Sequence, residues 1–194
     1  MTMYEPIVFP ASGALRDMNK KSIQGFFDWF VAAIPSRTKV LEDAVRSEPS
    51  MKTWKADFSP ASLQQLGEWY AKHITIRQRT SAEVSARRER LTIPAEIEGW
   101  DLDELTYSLA VDVGIYLGEV LRAGCEKLKW EVIVKDKRFI DYGCPVITGF
   151  GRAVMNPVRV CAVMARGVVR GSAEAGRLSE LYEAWRKLSQ NGTV

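Results

Sequence analysis

The chain of 194 residues is long enough for one domain with a substantial core. Its composition, with 46% hydrophobic and 26% charged residues, is typical of a globular protein and excludes wholesale disorder. The net charge of +3 argues against a dedicated nucleic-acid protein of high charge, although a local basic patch can still bind polyanions.

Cysteine usage and the distribution of apolar residues predict the compartment. The three cysteines, Cys125, Cys144 and Cys161, form no CxxC pair, which favours a reduced cytoplasmic setting. With His73 as the only histidine, we expect no metal site, and we expect no cofactor because no cofactor-binding motif is present. The N-terminal segment lacks the features of an export signal, and no apolar run reaches membrane-spanning length. The prediction is therefore a protein without a membrane segment.

The N-terminal part is predicted to be mostly helical. Residues 4–9 are interpreted as an edge strand or an extended arm, since their proline cannot donate to a sheet ladder. A helix is predicted to begin at Asp17 or Asn19 and to end at Pro35, and a second helix is predicted over 36–48. The first of these helices carries an apolar stripe made of Ile23, Phe26, Phe27, Phe30 and Ile34.

The next stretch combines an ambiguous segment with a clear helix start. Residues 51–58 fit a short strand or a loop equally well. Ser59 and Pro60 predict the beginning of a helix, because serine caps well and proline suits the first helical position. His73 lies on that helix and is interpreted as a packed or surface side chain, since no Ser or Cys partner lies near it in sequence.

Residues 74–91 are the most basic part of the chain. Its five arginines are Arg77, Arg79, Arg87, Arg88 and Arg90. Guanidinium groups donate to phosphates in bidentate forks, which makes these arginines candidate contacts to nucleic acid or another polyanion. The alternative is a solvated helix face or connector, because the stretch lacks the aromatic residues that stack on bases. A linker from Pro94 to Trp100 is predicted to follow.

A central helix is predicted from Asp101 to Gly124, with Asp101 as a candidate N-cap. Apolar residues nearly encircle this helix, which is typical of a buried element. Ala110, Gly114 and Gly118 recur every four residues and leave a seam along which another backbone can approach closely. We therefore expect a core helix with a tightly packed neighbour.

Two carboxylates interrupt the apolar surface of the central helix. Asp112 and Glu119 are seven residues apart, so they share one edge of the helix, with Tyr116 close by. One interpretation places both at the boundary of the buried face, where they meet solvent or basic partners. The other makes these three residues part of a binding or acid/base site.

After the central helix, the apolar spacing predicts a small sheet. Residues 129–134, 139–142 and 145–150 are predicted to form a three-stranded antiparallel meander. Asn156 then predicts the start of a helix that Gly171 can end, and a last amphipathic helix follows.

The helix after the sheet carries three regularly spaced arginines. Arg159, Arg166 and Arg170 lie along one stripe, and the first two are seven residues apart, like the carboxylates of the central helix. We hypothesise that Arg159 pairs with Asp112 and that Arg166 pairs with Glu119, which makes these residues candidate binding positions. The alternative is that the arginines extend to water.

The segments DVGIYLGEVL, LKW, CPVITGF and NPVRV together resemble a pattern shared by small bacterial proteins. Some of those proteins are encoded near toxins and are interpreted as immunity or accessory proteins. The resemblance covers roughly residues 101–170 and implies a helix, sheet, helix architecture and a bacterial origin. It implies no catalytic residue, and it leaves the preceding part of the chain without a match.

These patterns predict one α+β domain over residues 1–194, mostly helical, with a small antiparallel sheet packed on the central helix. Residues 1–95 are its helical N-terminal part, and 96–194 hold the central helix, the meander and two C-terminal helices. Because no nucleophile motif or glycine-rich phosphate loop is present, we predict a non-enzymatic protein-binding module of immunity or accessory type. The alternative is a nucleic-acid-associated protein that uses the arginines of 77–90.

Overall fold

The computed structural model describes residues 4–10, 13–93, 96–174 and 176–191. Within these ranges the helices are α1 (Lys20–Arg46), α2 (Ser62–Lys72), α3 (Ser81–Glu89), α4 (Glu104–Ala123), α5 (Pro157–Val169) and α6 (Arg177–Asn191). The strands are β1 (Ile76–Gln78), β2 (Trp100–Leu102), β3 (Lys129–Val132), β4 (Pro145–Phe150) and β5 (Ala153–Met155). Short 3-10 turns lie at Leu15–Asp17 and Pro49–Met51.

Helix α1 is one element of 27 residues, so the predicted stop at Pro35 is wrong. The helix begins after Asn19, whose side chain accepts a hydrogen bond from the backbone N–H of Ser22. A proline inside a helix costs about 3 kcal/mol, but the buried face of α1 continues beyond it. Leu41 and Val45 are fully buried, and each such side chain contributes about 1.5–3 kcal/mol. Tertiary burial therefore outweighs the local preference of proline.

Helix α4 lies at the centre of the core. Between Thr106 and Leu121, only Tyr107 and Glu119 are not buried. This near-complete burial explains why apolar residues encircle the helix in the sequence. The prediction of a buried central helix is confirmed.

The N-cap of α4 is Asp103, not the predicted Asp101. The Asp103 carboxylate accepts from the backbone N–H of Thr106 at 2.8 Å, which satisfies one of the free donors in the first turn. Asp101 belongs to β2, where its carboxylate pairs with arginines instead. Both aspartates precede the helix. The sequence does not show at which of them the backbone changes from extended to helical, and that position decides which aspartate is the cap.

Helices α4 and α5 approach most closely at Gly114. A Cβ atom on Gly114 would lie 2.8 Å from both Cα and N of Val158, closer than real Cβ contacts allow. One turn later, a Cβ on Gly118 would lie 2.6 Å from Cζ2 of the Trp130 indole. The predicted seam is therefore confirmed, with α5 against one glycine and the sheet against the other.

The three-stranded antiparallel sheet has the order β3–β4–β5. Its register places Trp130 opposite Ile147, and both side chains face α4 at Gly118. The third strand is β5 rather than the predicted 139–142, which form turns. The Tyr142 N–H donates to the Phe139 carbonyl, and this local bond uses a donor that a strand would need.

The boundaries of α5 agree with the prediction. The Asn156 side chain accepts from the backbone N–H of Arg159 at 3.0 Å and caps the helix. The helix ends at Val169, and Gly171 follows with φ of +69°, a left-handed conformation that glycine adopts without strain.

A two-stranded ribbon between β1 and β2 is a feature that the sequence did not reveal. The strands pair antiparallel, with Arg77 opposite Asp101, and α3 lies between them in the chain. The predicted linker from Pro94 to Trp100 thus ends in a strand, although residues 94–95 lie outside the described part.

One cluster of buried side chains joins both halves of the chain. It includes Phe30 of α1, Tyr70 of α2, Tyr116 of α4, Ile147 of β4 and Leu178 of α6. The predicted fold class is confirmed: the protein is a mostly helical α+β domain whose small antiparallel sheet packs on the central helix.

The described residues also bear on metals, thiols and membranes. Cys125, Cys144 and Cys161 are free thiols, and burial raises the pKa of the Cys161 thiol. His73 packs on the Trp69 ring at a centroid distance of 4.3 Å, as expected for a packed side chain. Within the described ranges, no group of three or more His, Cys, Asp or Glu residues is arranged to hold a metal ion. No described helix combines the length and the apolar character needed to cross a bilayer.

Candidate functional site

Asp112 lies in a buried polar cluster formed with α1. Its carboxylate accepts hydrogen bonds from Arg37 Nε at 2.9 Å, from Arg37 Nη2 at 2.6 Å and from the Tyr4 hydroxyl at 2.5 Å. The Asp112 side chain is fully shielded, and that of Arg37 is 11% exposed. Burial raises the pKa of Asp112, although the bonds from Arg37 and Tyr4 act against this shift. Asp112 therefore pairs with Arg37 of α1, not with Arg159.

Residues 4–10 form an extended arm that covers this cluster, and they add no strand to either sheet. The backbone N–H of Ile7 donates to Ser108 Oγ at 2.7 Å, and the Tyr4 hydroxyl lies 2.9 Å from the same oxygen. Arg37 Nη2 also donates to the carbonyl of Glu5 at 2.8 Å. Of the two predicted alternatives for 4–9, the arm is correct.

Tyr116 is fully buried and serves the packing of α4. Its hydroxyl lies 2.7 Å from Ser62 Oγ and accepts from the backbone N–H of Phe58 at 3.1 Å. The Phe58 ring also stacks on the Tyr116 ring at 5.4 Å between centroids. These contacts fasten the segment before α2 to the central helix.

Glu119 has its own partners, separate from those of Asp112 and Tyr116. It accepts from Arg122 at 2.7 Å and from the indole N–H of Trp130 at 2.7 Å. Its contacts therefore join α4 to β3 rather than to Arg166. Each of the three candidate residues of the central helix is thus engaged in a different structural contact.

The predicted pairing between the carboxylates of α4 and the arginines of α5 does not form. Arg159 pairs instead with the buried Asp141 at 2.7 Å, and Arg166 pairs with Asp101 at 2.6 Å. The seven-residue spacing shared by the carboxylates of α4 and the arginines of α5 makes pairing possible, but it does not show that the two charged faces meet. The helices meet through Gly114, on a face without charges, so each arginine takes a partner from another element.

Arg37 is the residue that the sequence interpretation missed. It lies three residues after Ile34 and four before Leu41, so it continues the apolar stripe of α1. An arginine at a core position of a helix needs a buried acid as its partner. This spacing was the available signal, and the predicted helix end at Pro35 hid it.

Between Tyr70 and Leu102, no described residue is buried. This part of the chain contains β1, α3 and the approach to β2, and residues 76–99 are here called the basic extension. A helix of a globular protein ordinarily buries an apolar stripe, whereas α3 buries none of its residues. The basic extension therefore lies outside the core and gains little stability from it.

Polar contacts hold the basic extension together. Thr80 and Glu83 form a capping box at the start of α3. Glu83 also accepts from two nitrogens of Arg77, at 2.6 and 3.0 Å. The hydrogen bonds from Arg77 and Thr80 lower the pKa of Glu83 to about 2. Contacts of this kind are exposed, and salt therefore weakens them.

Ion pairs tie the basic extension to α5. Asp101 pairs with Arg79 at 3.0 Å and with Arg166 at 2.6 Å, while Glu98 accepts from Arg170 at 2.5 Å. Burial alone would raise the pKa of Asp101, but its ion pairs with Arg166 and Arg79 outweigh burial and lower it to about 2. This carboxylate of β2 therefore connects the residue after β1 to helix α5.

Replacing Asp101 with asparagine is expected to destabilise the protein near neutral pH. The folded pKa of about 2 lies below the ordinary value of 3.8, so the carboxylate contributes stability that is lost as pH falls through this range. The shift corresponds to on the order of 2 kcal/mol. Urea unfolding at about pH 7, 4 and 2 should show a smaller loss with pH in Asp101→Asn than in the wild type.

Glu126→Gln, which removes an exposed carboxylate, is the matched control for Asp101→Asn and should retain the wild-type pH dependence. An unchanged acid profile in Asp101→Asn would contradict the assigned role of Asp101.

The five candidate polyanion contacts fall into two groups. Arg77 and Arg79 are in ion pairs, and the Arg79 side chain is only 3% exposed. Arg87, Arg88 and Arg90 are exposed, and none of their side chains makes a hydrogen bond or ion pair with a described residue. Only the second group is free to contact a partner without breaking an existing pair.

Comparison with known proteins identifies no relative of this chain. No family model, no curated protein and no solved structure matches it.

Proposed function

We propose that this protein is a non-enzymatic protein-binding module of immunity or accessory type, and that the basic extension is the surface that engages its partner. The observation that supports the proposal is the run from Tyr70 to Leu102, in which no described residue between these two is buried. A segment that buries so little apolar surface in its own domain can gain stability by burying surface against another molecule.

The exposed side chains of the basic extension suit a protein interface. Ile76, Leu91 and Ile93 are 43, 41 and 75% exposed, so the segment presents three aliphatic side chains to solvent. Arg88 is exposed on α3 and has no ion pair with a described residue. Interface centres are apolar and arginine is enriched in interfaces. We infer a partner surface that combines apolar and acidic residues.

The charge of the basic extension favours a protein over a nucleic acid. Residues 76–99 contain five arginines and four glutamates, which leaves a net charge of +1. The same residues include no aromatic side chain on which a base could stack. Nucleic-acid binding through Arg87, Arg88 and Arg90 is the second candidate function, because these three are exposed and unpaired among the described residues.

The kind of partner is suggested by the resemblance of residues 101–170 to bacterial proteins encoded near toxins. A toxin is the partner that an immunity-type protein would bind. The resembling segments include none of the basic extension. In this proposal, the shared segments supply the fold and the basic extension supplies the specificity.

A photo-crosslinking residue at position 93 tests the proposal. Ile93 is 75% exposed, and Ile140, which is 67% exposed and lies outside the basic extension, is the matched control position. In native cells, the probe at position 93 is expected to give a discrete protein adduct that the control does not give. Adding Arg88→Glu should reduce the yield of this adduct by about tenfold, because it places an acid against an acidic surface.

Other results have clear meanings. An adduct that disappears after nuclease treatment would support nucleic-acid binding instead of protein binding. The same adducts at positions 93 and 140 would refute the proposed surface.

A further inference from the structure

Two cavities lie against α3 and share Arg79 and Arg87 in their walls. The larger, of about 370 Å³, is also lined by Arg170, which follows α5. The smaller, of about 230 Å³, is also lined by Arg90, which follows α3. These cavities together are here called the arginine groove. Four arginines from three parts of the chain thus converge on one concave surface.

Most carboxylates of the arginine groove are already engaged. Glu83, Glu98 and Asp101 line the groove, and they accept hydrogen bonds from Arg77, Arg170 and Arg166, respectively. Glu96 is the fourth lining carboxylate and is exposed. The four lining arginines equal the four lining carboxylates in number, but Arg77 and Arg166, from outside the groove, already pair with Glu83 and Asp101.

Two arginines of the groove are held in place. Arg79 donates to the Glu98 carbonyl at 2.6 Å, and Arg170 donates to the Glu98 carboxylate through Nε and Nη2. Arg79 Nη2 is buried and lies 3.0 Å from Asp101 Oδ2, yet it is not oriented to form a hydrogen bond with that oxygen. The groove therefore contains a fixed cation with a buried donor that still lacks a well-placed acceptor.

The other two arginines are free to move onto a ligand. Arg87 and Arg90 make no ion pair with a described residue, although both line the smaller cavity. A guanidinium group donates two parallel N–H bonds to an oxyanion, and pairs of this kind are short and strong. Fixed arginines can thus define the position of an anion while mobile ones close over it.

We propose that the arginine groove binds a phosphate group. A tetrahedral dianion has enough acceptor oxygens for several guanidinium forks, and its charge complements Arg87 and Arg90, which have no ion pair with a described residue. Inorganic phosphate, a phosphorylated side chain and a nucleotide all present this chemistry. The groove and the proposed protein interface share Leu91, but they are tested at different positions, because neither Arg88 nor Ile93 lines the groove.

Titration calorimetry with inorganic phosphate at constant ionic strength tests the proposal. We expect saturable binding that Arg87→Gln and Arg90→Gln each weaken by about tenfold. Arg88→Gln is the matched control, since Arg88 lies on the same helix outside the groove, and it should leave the affinity unchanged. Glu96→Gln should strengthen binding about threefold, because it removes a repelling charge from the wall.

Phosphoserine and a 5′-mononucleotide then distinguish the source of the phosphate. Tighter binding of either one supports the site and identifies its ligand, and equal affinities indicate that phosphate itself is recognised. If Arg88→Gln weakens binding as much as Arg87→Gln, phosphate is attracted by the general positive charge of α3 and not by the groove, and the proposed site is overturned. The absence of saturable binding for all three probes would also overturn it. Neither result would affect the crosslink expected at position 93.

Discussion

Replacing Arg37 with methionine is expected to lower the free energy of unfolding by about 3–5 kcal/mol, because it leaves the Asp112 carboxylate buried without its cation. The Arg37 Nη2 to Asp112 Oδ2 distance is 2.6 Å, and both side chains are shielded from water. Methionine preserves much of the apolar stem of arginine, so the loss reports the charge rather than the packing. Urea unfolding at neutral pH measures the difference.

The double variant Arg37→Met with Asp112→Leu tests whether the loss of stability comes from the unpaired charge. It removes both charges, and replacing a buried pair with apolar residues is often neutral. We therefore expect most of the lost stability to return, since the Tyr4 hydroxyl keeps Ser108 as a partner. Lys39→Met, which removes an exposed ion pair of the same helix, should change stability little. A double variant as unstable as Arg37→Met would refute this account of the pair.

Acidification should partly repair Arg37→Met. Burial already raises the pKa of Asp112, and the loss of the Arg37 hydrogen bonds raises it further. A carboxyl whose folded pKa lies above its unfolded value stabilises the fold in its protonated form and loses this contribution as pH rises. The stability difference between the wild type and Arg37→Met should therefore shrink as pH falls.

Replacing Gly114 with alanine is expected to destabilise the fold by about 3 kcal/mol, because the new Cβ has no room. It would lie 2.8 Å from two backbone atoms of Val158 and 2.9 Å from the carbonyl carbon of Pro157. A backbone cannot rotate away as a side chain can, so α4 and α5 must separate. Thermal unfolding should show a loss of about 6–12 °C in a domain of this size.

Gly25→Ala is the matched control for this prediction. Gly25 also lies inside a helix, but a Cβ there would have no heavy atom within 4 Å. Alanine in an exposed helix interior is favoured over glycine by about 0.5–1 kcal/mol, so this variant should be slightly more stable. Equal effects of the two substitutions would show that helix propensity, and not the contact with α5, controls the result.

Stability is distributed unevenly over the molecule. The region around α4 is held by continuous apolar burial, whereas the basic extension is held by a two-stranded ribbon, a capping box and ion pairs. Isolated ribbons are marginally stable, and exposed ion pairs contribute little and are screened by salt. A partner that covers the basic extension would therefore stabilise the part of the protein that needs it most.

Local patterns in the sequence were sufficient for most of the helical fold. The dense apolar spacing of 101–124 predicted the buried central helix, and Asn156 with Gly171 predicted the ends of α5. These features depend on neighbouring residues, because the helical period and the capping geometry are local. The class of fold followed from them.

The wrong predictions fall where local sequence preferences compete with contacts to distant parts of the chain. Pro35 is a strong helix breaker in isolation, yet the core that α1 covers keeps it helical. Residues 139–142 have strand-like composition, but their backbone groups bond locally in turns and β5 occupies the edge of the sheet. In both places the local backbone conformation was decided by the distant parts of the chain that pack against the segment.

The sequence by itself determined which faces of the main helices are apolar, where α1 begins and where α5 begins and ends. The tertiary structure alone decided which charges meet, because Arg37 and Asp112 are 75 residues apart and no spacing rule connects them. It also decided that residues 76–99 remain outside the core, since exposure depends on what the other helices leave uncovered. Charge pairing and exposure arise only when the whole chain has folded, and they determine where the candidate site lies.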